Sequence, residues 1–177
     1  MIVLPEKAII LVGFMGTGKS TVAERLAAEL GWRKLDLDQA IEDDQGCSIP
    51  ELFSSRGEAY FRQVETDVLK RTLEESREVV VATGGGAVLA EANREAMLAS
   101  GTVVALTASV ETILDRVQND PNRPLLKGNA AESVPQLLEA RKHAYDFAHL
   151  RIDTTNRSVD EIVRLILDGA GNSGTTA

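Results

Sequence analysis

The sequence predicts an α/β protein built on a parallel sheet, and three observations point there. Short apolar runs alternate with longer stretches whose apolar residues recur at helical spacing. Alternation of this kind gives parallel strands with crossover helices packed on both faces. A glycine-rich loop, GFMGTGKST at residues 13–21, stands at the junction of the first such strand and the first such helix. At 177 residues the chain suits one domain with its own core.

Residues 8–12 (AIILV) read as the first strand. From Lys19 a helix follows, with Val22, Ala23, Leu26, Ala27 and Leu30 on one face, and Gly31 stops it. Residues 34–37 form a second short strand. Residues 38–73 are helical and polar, broken at Gly46 and Gly57. Ser48 and Glu51 have the spacing of a capping box, as do Ser133 with Gln136 and Ser158 with Glu161. Residues 79–82 form a strand, 91–99 a helix, 102–106 a strand and 109–118 a helix. Residues 119–129 (NDPNRPLLKGN) carry two prolines, a glycine and no clean period, so they read as a basic loop suited to a lid. A helix over 134–147, a fifth strand at 150–153 and a helix over 158–167 complete the chain. The small polar tail, 169–177, is expected to be disordered.

Composition excludes several classes. The net charge of −8 argues against general nucleic-acid binding, which asks for a basic face. Cys47 is the only cysteine, so neither an intramolecular disulfide nor a cysteine metal site is available. No apolar run approaches the ~18 residues of a membrane span, and no leader pattern opens the chain. We expect a cytoplasmic protein that does not engage membranes. With no large apolar helix face left over, a monomer is expected.

The loop at 13–21 matches G-x-x-x-x-G-K-[ST] between a strand and a helix, the context that gives the motif its meaning. Glycines let backbone N–H groups turn inward on phosphate oxygens, and the helix start adds its positive dipole end. Gly16, Thr17, Gly18, Lys19, Ser20 and Thr21 are therefore assigned to a nucleoside triphosphate. Lys19 is expected at the β- and γ-phosphates and Ser20 on Mg²⁺. The N-K-x-D segment that selects guanine is missing, which favours ATP.

Around that loop stand candidates for a second site. Asp36 and Asp38, in LDLD, fall on the same side of a strand by alternation. Asp36 is assigned to Mg²⁺ and Asp38 to a substrate hydroxyl, as acceptor or base; Asp38 also suits a helix N-cap. Arg62 and Glu65 are within pairing reach on one helix, either as a surface ion pair or as part of a carboxylate grip. Arg141 is a similar candidate. The third strand ends not in an acidic residue but in Thr83, Gly84, Gly85 and Gly86. Glycines there let a backbone approach closely, so they read as the floor of an acceptor pocket. Arg123 lies in the lid, where closure would bring it over the γ-phosphate. Arg116 suits either stacking on adenine or a surface role.

Taken together these motifs resemble shikimate kinase, in the nucleoside-monophosphate-kinase-like branch of P-loop proteins. The resemblance spans residues 9–167 and rests on GFMGTGKST, the D-x-D at Asp36 and Asp38, FRxxE at 61–65, TGGGAV at 83–88, RPLL at 123–126, and Arg141 four residues before Tyr145. It implies a five-stranded parallel sheet in the order 2-3-1-4-5, with a mobile lid (about 119–129) and a mobile substrate-binding region (about 37–66) within one kinase domain over 1–168. It implies transfer of the γ-phosphoryl of ATP to the 3-hydroxyl of shikimate, in the chorismate and aromatic amino-acid pathway. By the same resemblance Asp38 binds the ring hydroxyls, Arg62 and Arg141 hold the carboxylate, the glycine run completes the site, Asp36 stands near Mg²⁺ and Arg123 reaches ATP. Arg157 matches the family's arginine beside adenine, although the proline that accompanies it there is absent. Two other readings fit parts of the pattern: a kinase of the same branch acting on another acceptor such as gluconate, and a nucleotide-driven switch protein without turnover.

Overall fold

The computed structural model describes residues 8–118 and 130–172. The expected lid at 119–129, with Arg123, lies outside the described residues, as do 173–177 of the tail.

The sheet has five parallel strands in the order β2-β3-β1-β4-β5. These are β1 (Ala8–Gly13), β2 (Arg33–Asp36), β3 (Val79–Ala82), β4 (Gly101–Thr107) and β5 (Leu150–Asp153). The central strands read as continuous apolar runs because both faces are covered, and β1 and β3 are buried along their whole length. Alternation divides their side chains between two cores. Ile10, Val12, Val79, Val81, Val103 and Ala105 pack under α4 (Glu58–Glu75) and α5 (Glu91–Ser100). Ile9, Leu11, Val80, Ala82, Val104 and Leu106 face α1 (Lys19–Leu30) and α8 (Val159–Asn172). A third cluster joins Phe14 and Met15 of the phosphate loop to Ile113 and Val117 of α6 (Val110–Gln118) and Val134 of α7 (Ala130–Ala140). The loop is therefore anchored by two apolar side chains of its own.

Local signals explain most boundaries. Gly31 ends α1 in the left-handed region, and its cap N–H reaches back to Ala27 and Ala28 carbonyls. Gly46 and Gly57 separate α2 (Leu37–Gln45), α3 (Ile49–Arg56) and α4. The box at Ser48 and Glu51 is reciprocal. At the start of α8, Ser158 Oγ accepts from the Glu161 N–H at 3.1 Å.

Three expectations are corrected. Ser133 does not cap a helix: α7 begins at Ala130 and contains Pro135. Ala130, Ala131 and Glu132 favour helix and carry it upstream of the proline. Nor does α7 run to 147. After Ala140 the chain tightens into turns such as Ala144 N–H to the Arg141 carbonyl (2.9 Å), which bring Arg141 and Tyr145 back toward the sheet. At the other end, α8 continues to Asn172, so residues 169–172 are helical rather than part of a loose tail.

Candidate active site

The phosphate loop is tied by side chains that bind its carbonyls. Gly13, Gly16 and Gly18 have φ of 151°, 77° and 90°, a region open to glycine. The Lys19 ammonium donates to the carbonyls of Gly13 (2.7 Å) and Phe14 (2.9 Å). The buried Thr17 hydroxyl also donates to Phe14 O (2.8 Å), and Arg116 donates to Gly16 O (2.8 Å). In a trans peptide the next N–H points opposite to its carbonyl. Side chains that hold these carbonyls therefore also fix the directions of the adjoining N–H groups, which suits an anion nest. Arg116 is thus a brace on the loop in this state, a role its sequence context did not reveal.

Ser20 and Thr21 follow on the exposed first turn of α1. Ser20 Oγ donates to Asp36 Oδ2 at 2.7 Å. The other carboxylate oxygen, Oδ1, accepts from Asp38 N–H at 3.2 Å, which makes Asp36 the N-cap of α2. This corrects two expectations. Strand β2 ends at Asp36, so strand alternation does not relate the two aspartates, and the cap is Asp36 rather than Asp38. Ser20 and Asp36 form a pair of hard oxygen donors suited to Mg²⁺. Among the described residues no three His, Cys, Asp or Glu side chains cluster as a metal site. A cation held by this pair would draw its remaining oxygens from phosphate and water.

The second cluster surrounds the turn after β3. Each glycine of that turn faces a different charged side chain. A Cβ on Gly84 would stand 2.9 Å from Asp38 Oδ1 and 3.6 Å from Glu65 Oε2. On Gly85 it would stand 3.8 Å from Arg141 Nη1, and on Gly86 it would overlap the Arg62 guanidinium, with Nη1 at 2.6 Å. None of the three lies at positive φ; at Gly84 and Gly86 it is space that opposes a side chain, whereas a Cβ on Gly85 would make only ordinary contacts, the nearest with Met15 N at 3.4 Å.

Glu65 sits at the centre, 1% exposed, with Arg62 Nη1 at 2.9 Å. Burial pushes its carboxyl above the ordinary value; Arg62 opposes the shift, Asp38 adds to it and Arg141 opposes it. One buried carboxylate thus feels all three of the other candidates. The Arg62–Glu65 pair is not a surface ion pair.

Sequence reasoning gave no role to Tyr145. Its buried hydroxyl donates to Gly85 O at 3.2 Å; burial raises its phenol, against the charge of Arg141. The Arg141 guanidinium also stands 5.8 Å from the Phe14 ring centroid. The available signal was the i, i+4 spacing of Arg141 and Tyr145. Asn93 and Arg94 were likewise missed. Asn93 Nδ2 donates to Ala87 O (2.9 Å) and Arg94 to Val88 O (2.6 Å), fixing the 3₁₀ turn Ala87–Leu89 that follows the glycines. Arg157 stands apart from these groups, exposed at the turn after β5, in a groove with Asp153 and Leu165. The structure thus brings together Asp38, Arg62, Glu65, Gly84, Gly85, Gly86 and Arg141, and beside them Lys19, Ser20 and Asp36.

Known proteins share both the sequence and the shape of this chain. A family model described as shikimate kinase matches residues 15–170. The shikimate kinase of Geobacter sulfurreducens is 50% identical over 156 residues, covering 88% of this chain and 86% of that protein. Among solved structures, a shikimate kinase from Acinetobacter baumannii in complex with shikimate superposes with a TM-score of 0.91 at 38% identity, covering 99% of this chain and 97% of the other. The Aquifex aeolicus shikimate kinase gives 0.83 at 34% identity, covering 96% and 99%.

Proposed function

The chain belongs to the shikimate kinase family, and from that premise we propose how its residues move the γ-phosphoryl of ATP to the 3-hydroxyl of shikimate. The observation that carries the assignment is the convergence of Asp38, Arg62, Glu65 and Arg141 on three consecutive glycines. Shikimate presents one carboxylate and three hydroxyls. Arg62 and Arg141 hold the carboxylate, since planar guanidinium groups bind it bidentately. Glu65 fixes the Arg62 fork, and Tyr145 steadies the Gly85 carbonyl beside Arg141.

Phosphoryl transfer asks the protein mainly for positioning and charge stabilisation. Lys19 leaves the loop carbonyls for the more negative β- and γ-phosphates, while the N–H groups of Gly16, Thr17, Gly18 and the following turn, with Thr21, cradle them. Ser20 and Asp36 would hold Mg²⁺, whose charge neutralises the phosphate oxygens. Asp38 orients the 3-hydroxyl and takes its proton as the new O–P bond forms and the bond to the β-phosphate oxygen breaks. Arg123, reaching from the lid, and Arg116 and Arg157, beside the nucleotide, complete the ATP site. The working unit is a monomer in the cytoplasm, with neither nucleic acid nor membrane as partner. Among the described residues no helix is long and apolar enough to cross a membrane.

The Asp38→Asn variant tests this division of labour. We expect kcat to fall by about a hundredfold or more with Mg-ADP affinity retained. Unchanged turnover would remove Asp38 from the reaction.

A further inference from the structure

We propose that Thr154, in the turn after β5, is a positioning residue for the phosphate loop. Its side chain is 1% exposed. The hydroxyl lies 2.9 Å from Thr107 O, at the end of β4, and 3.3 Å from Thr17 O, in the loop itself. One hydroxyl proton serves both carbonyls. Thr107 O already receives the Thr154 backbone N–H at 2.8 Å. Loss of the hydroxyl would leave Thr107 O with that N–H and take a contact from Thr17 O, which stands one residue before the N-cap of α1 and outside its regular hydrogen-bond ladder.

The consequence lies in the Thr17–Gly18 peptide. A carbonyl held by Thr154 keeps the Gly18 N–H directed the opposite way, toward the nest. Gly18 at φ 90° has the freedom to rotate this peptide, so the loop needs an external tie. The same turn braces the loop by a second route. Thr155 Oγ1 accepts from Ser109 N–H at 2.8 Å, at the start of α6, and α6 carries Arg116, which holds Gly16 O. Asp153 fixes the turn by accepting from Thr155 N–H at 2.9 Å. Two successive loop carbonyls, Gly16 and Thr17, are thus tied to the turn after β5. The inference rests on this loop being the ATP site.

The experiment compares Thr154→Val, which keeps the shape and loses the hydroxyl, with Thr154→Ser, which keeps the hydroxyl. Mg-ADP binding is measured by calorimetry, and KM is measured for ATP and for shikimate. We expect Thr154→Val to weaken Mg-ADP and raise KM for ATP by about fivefold, with KM for shikimate unchanged and Thr154→Ser close to the parent. An unchanged Mg-ADP affinity in Thr154→Val, an equal rise in both KM values, or a Thr154→Ser as weak as Thr154→Val overturns the proposal. If Thr154→Val does not fold, Thr154→Ser against Thr154→Ala isolates the same hydroxyl. Lys19→Ala is the control for the site. If it binds Mg-ADP normally, the loop is not the nucleotide site. If it loses binding while Thr154→Val keeps it, only the role of Thr154 fails.

Discussion

Gly86 and Arg62 occupy one another's space: a Cβ on Gly86 would stand 2.6 Å from Nη1 and 2.8 Å from Cζ of the guanidinium. The obstructed group is the end of a flexible side chain, so Gly86→Ala can fold by displacing Arg62. We predict that it raises KM for shikimate by about tenfold or more, through lost charged hydrogen bonds, with a lower melting temperature because buried Glu65 loses its partner. Gly101 is the contrast, because a Cβ there would run into the Ala8 backbone in the β1–β4 pair. Gly101→Ala should lower the melting temperature by roughly 3 °C or more. Steady-state kinetics, beside thermal denaturation, separate site from scaffold in the two variants.

Asp36 serves α2 and Ser20 at once. Asparagine caps a helix about as well as aspartate, so Asp36→Asn should keep the fold. It removes one negative oxygen donor from the pair assigned to Mg²⁺. We predict a rise of about tenfold in the Mg²⁺ concentration for half-maximal activity, read by titration at fixed ATP. No change in that concentration would exclude Asp36 from metal binding.

Burial raises the carboxyl of Glu65 in the folded protein above its ordinary value of 4.5. A folded-state pKa above the unfolded one means that the native state holds the proton more tightly. Its favourable contribution is full below the unfolded value and is lost as pH rises through the folded one. Glu65→Gln does not titrate there. The melting temperature of wild type minus that of Glu65→Gln should therefore fall as pH is raised from about 4 toward neutrality. Thermal scans across that range check the sign, and a difference that grows with pH contradicts it.

Tyr145→Phe removes the hydroxyl from Gly85 O while keeping the buried ring. The expected result is a rise of about threefold to tenfold in KM for shikimate, with KM for ATP unchanged. Equal effects on both substrates would show a general loosening instead.

Much of this was readable from residue order. The three central strands follow from apolar runs beside glycine, β2 and β5 are short and half polar and show mainly through their place between helices, and the strand order follows from the family resemblance. Gly31, Gly46, Gly57 and the box at Ser48 mark their helix boundaries through local chemistry alone. The boundary at Ser133 failed because helix propensity upstream outweighed a capping pattern with a proline in it. The partners of the three glycines were not legible. Asp38, Arg62 and Arg141 reach them from α2, α4 and the turn after α7, and only the tertiary fold sets those distances. Thr154 was hidden for the same reason, since its partner Thr17 lies far away in sequence.

The central claim is that the charged cluster around Gly84, Gly85 and Gly86 receives shikimate for phosphorylation. The most direct test is ADP release from Mg-ATP with shikimate, with gluconate, with a nucleoside monophosphate and with no acceptor. The account predicts turnover with shikimate alone, lost when Arg62 is replaced by alanine at low shikimate. Turnover with another acceptor and none with shikimate would leave the phosphate loop in place and contradict the acceptor site.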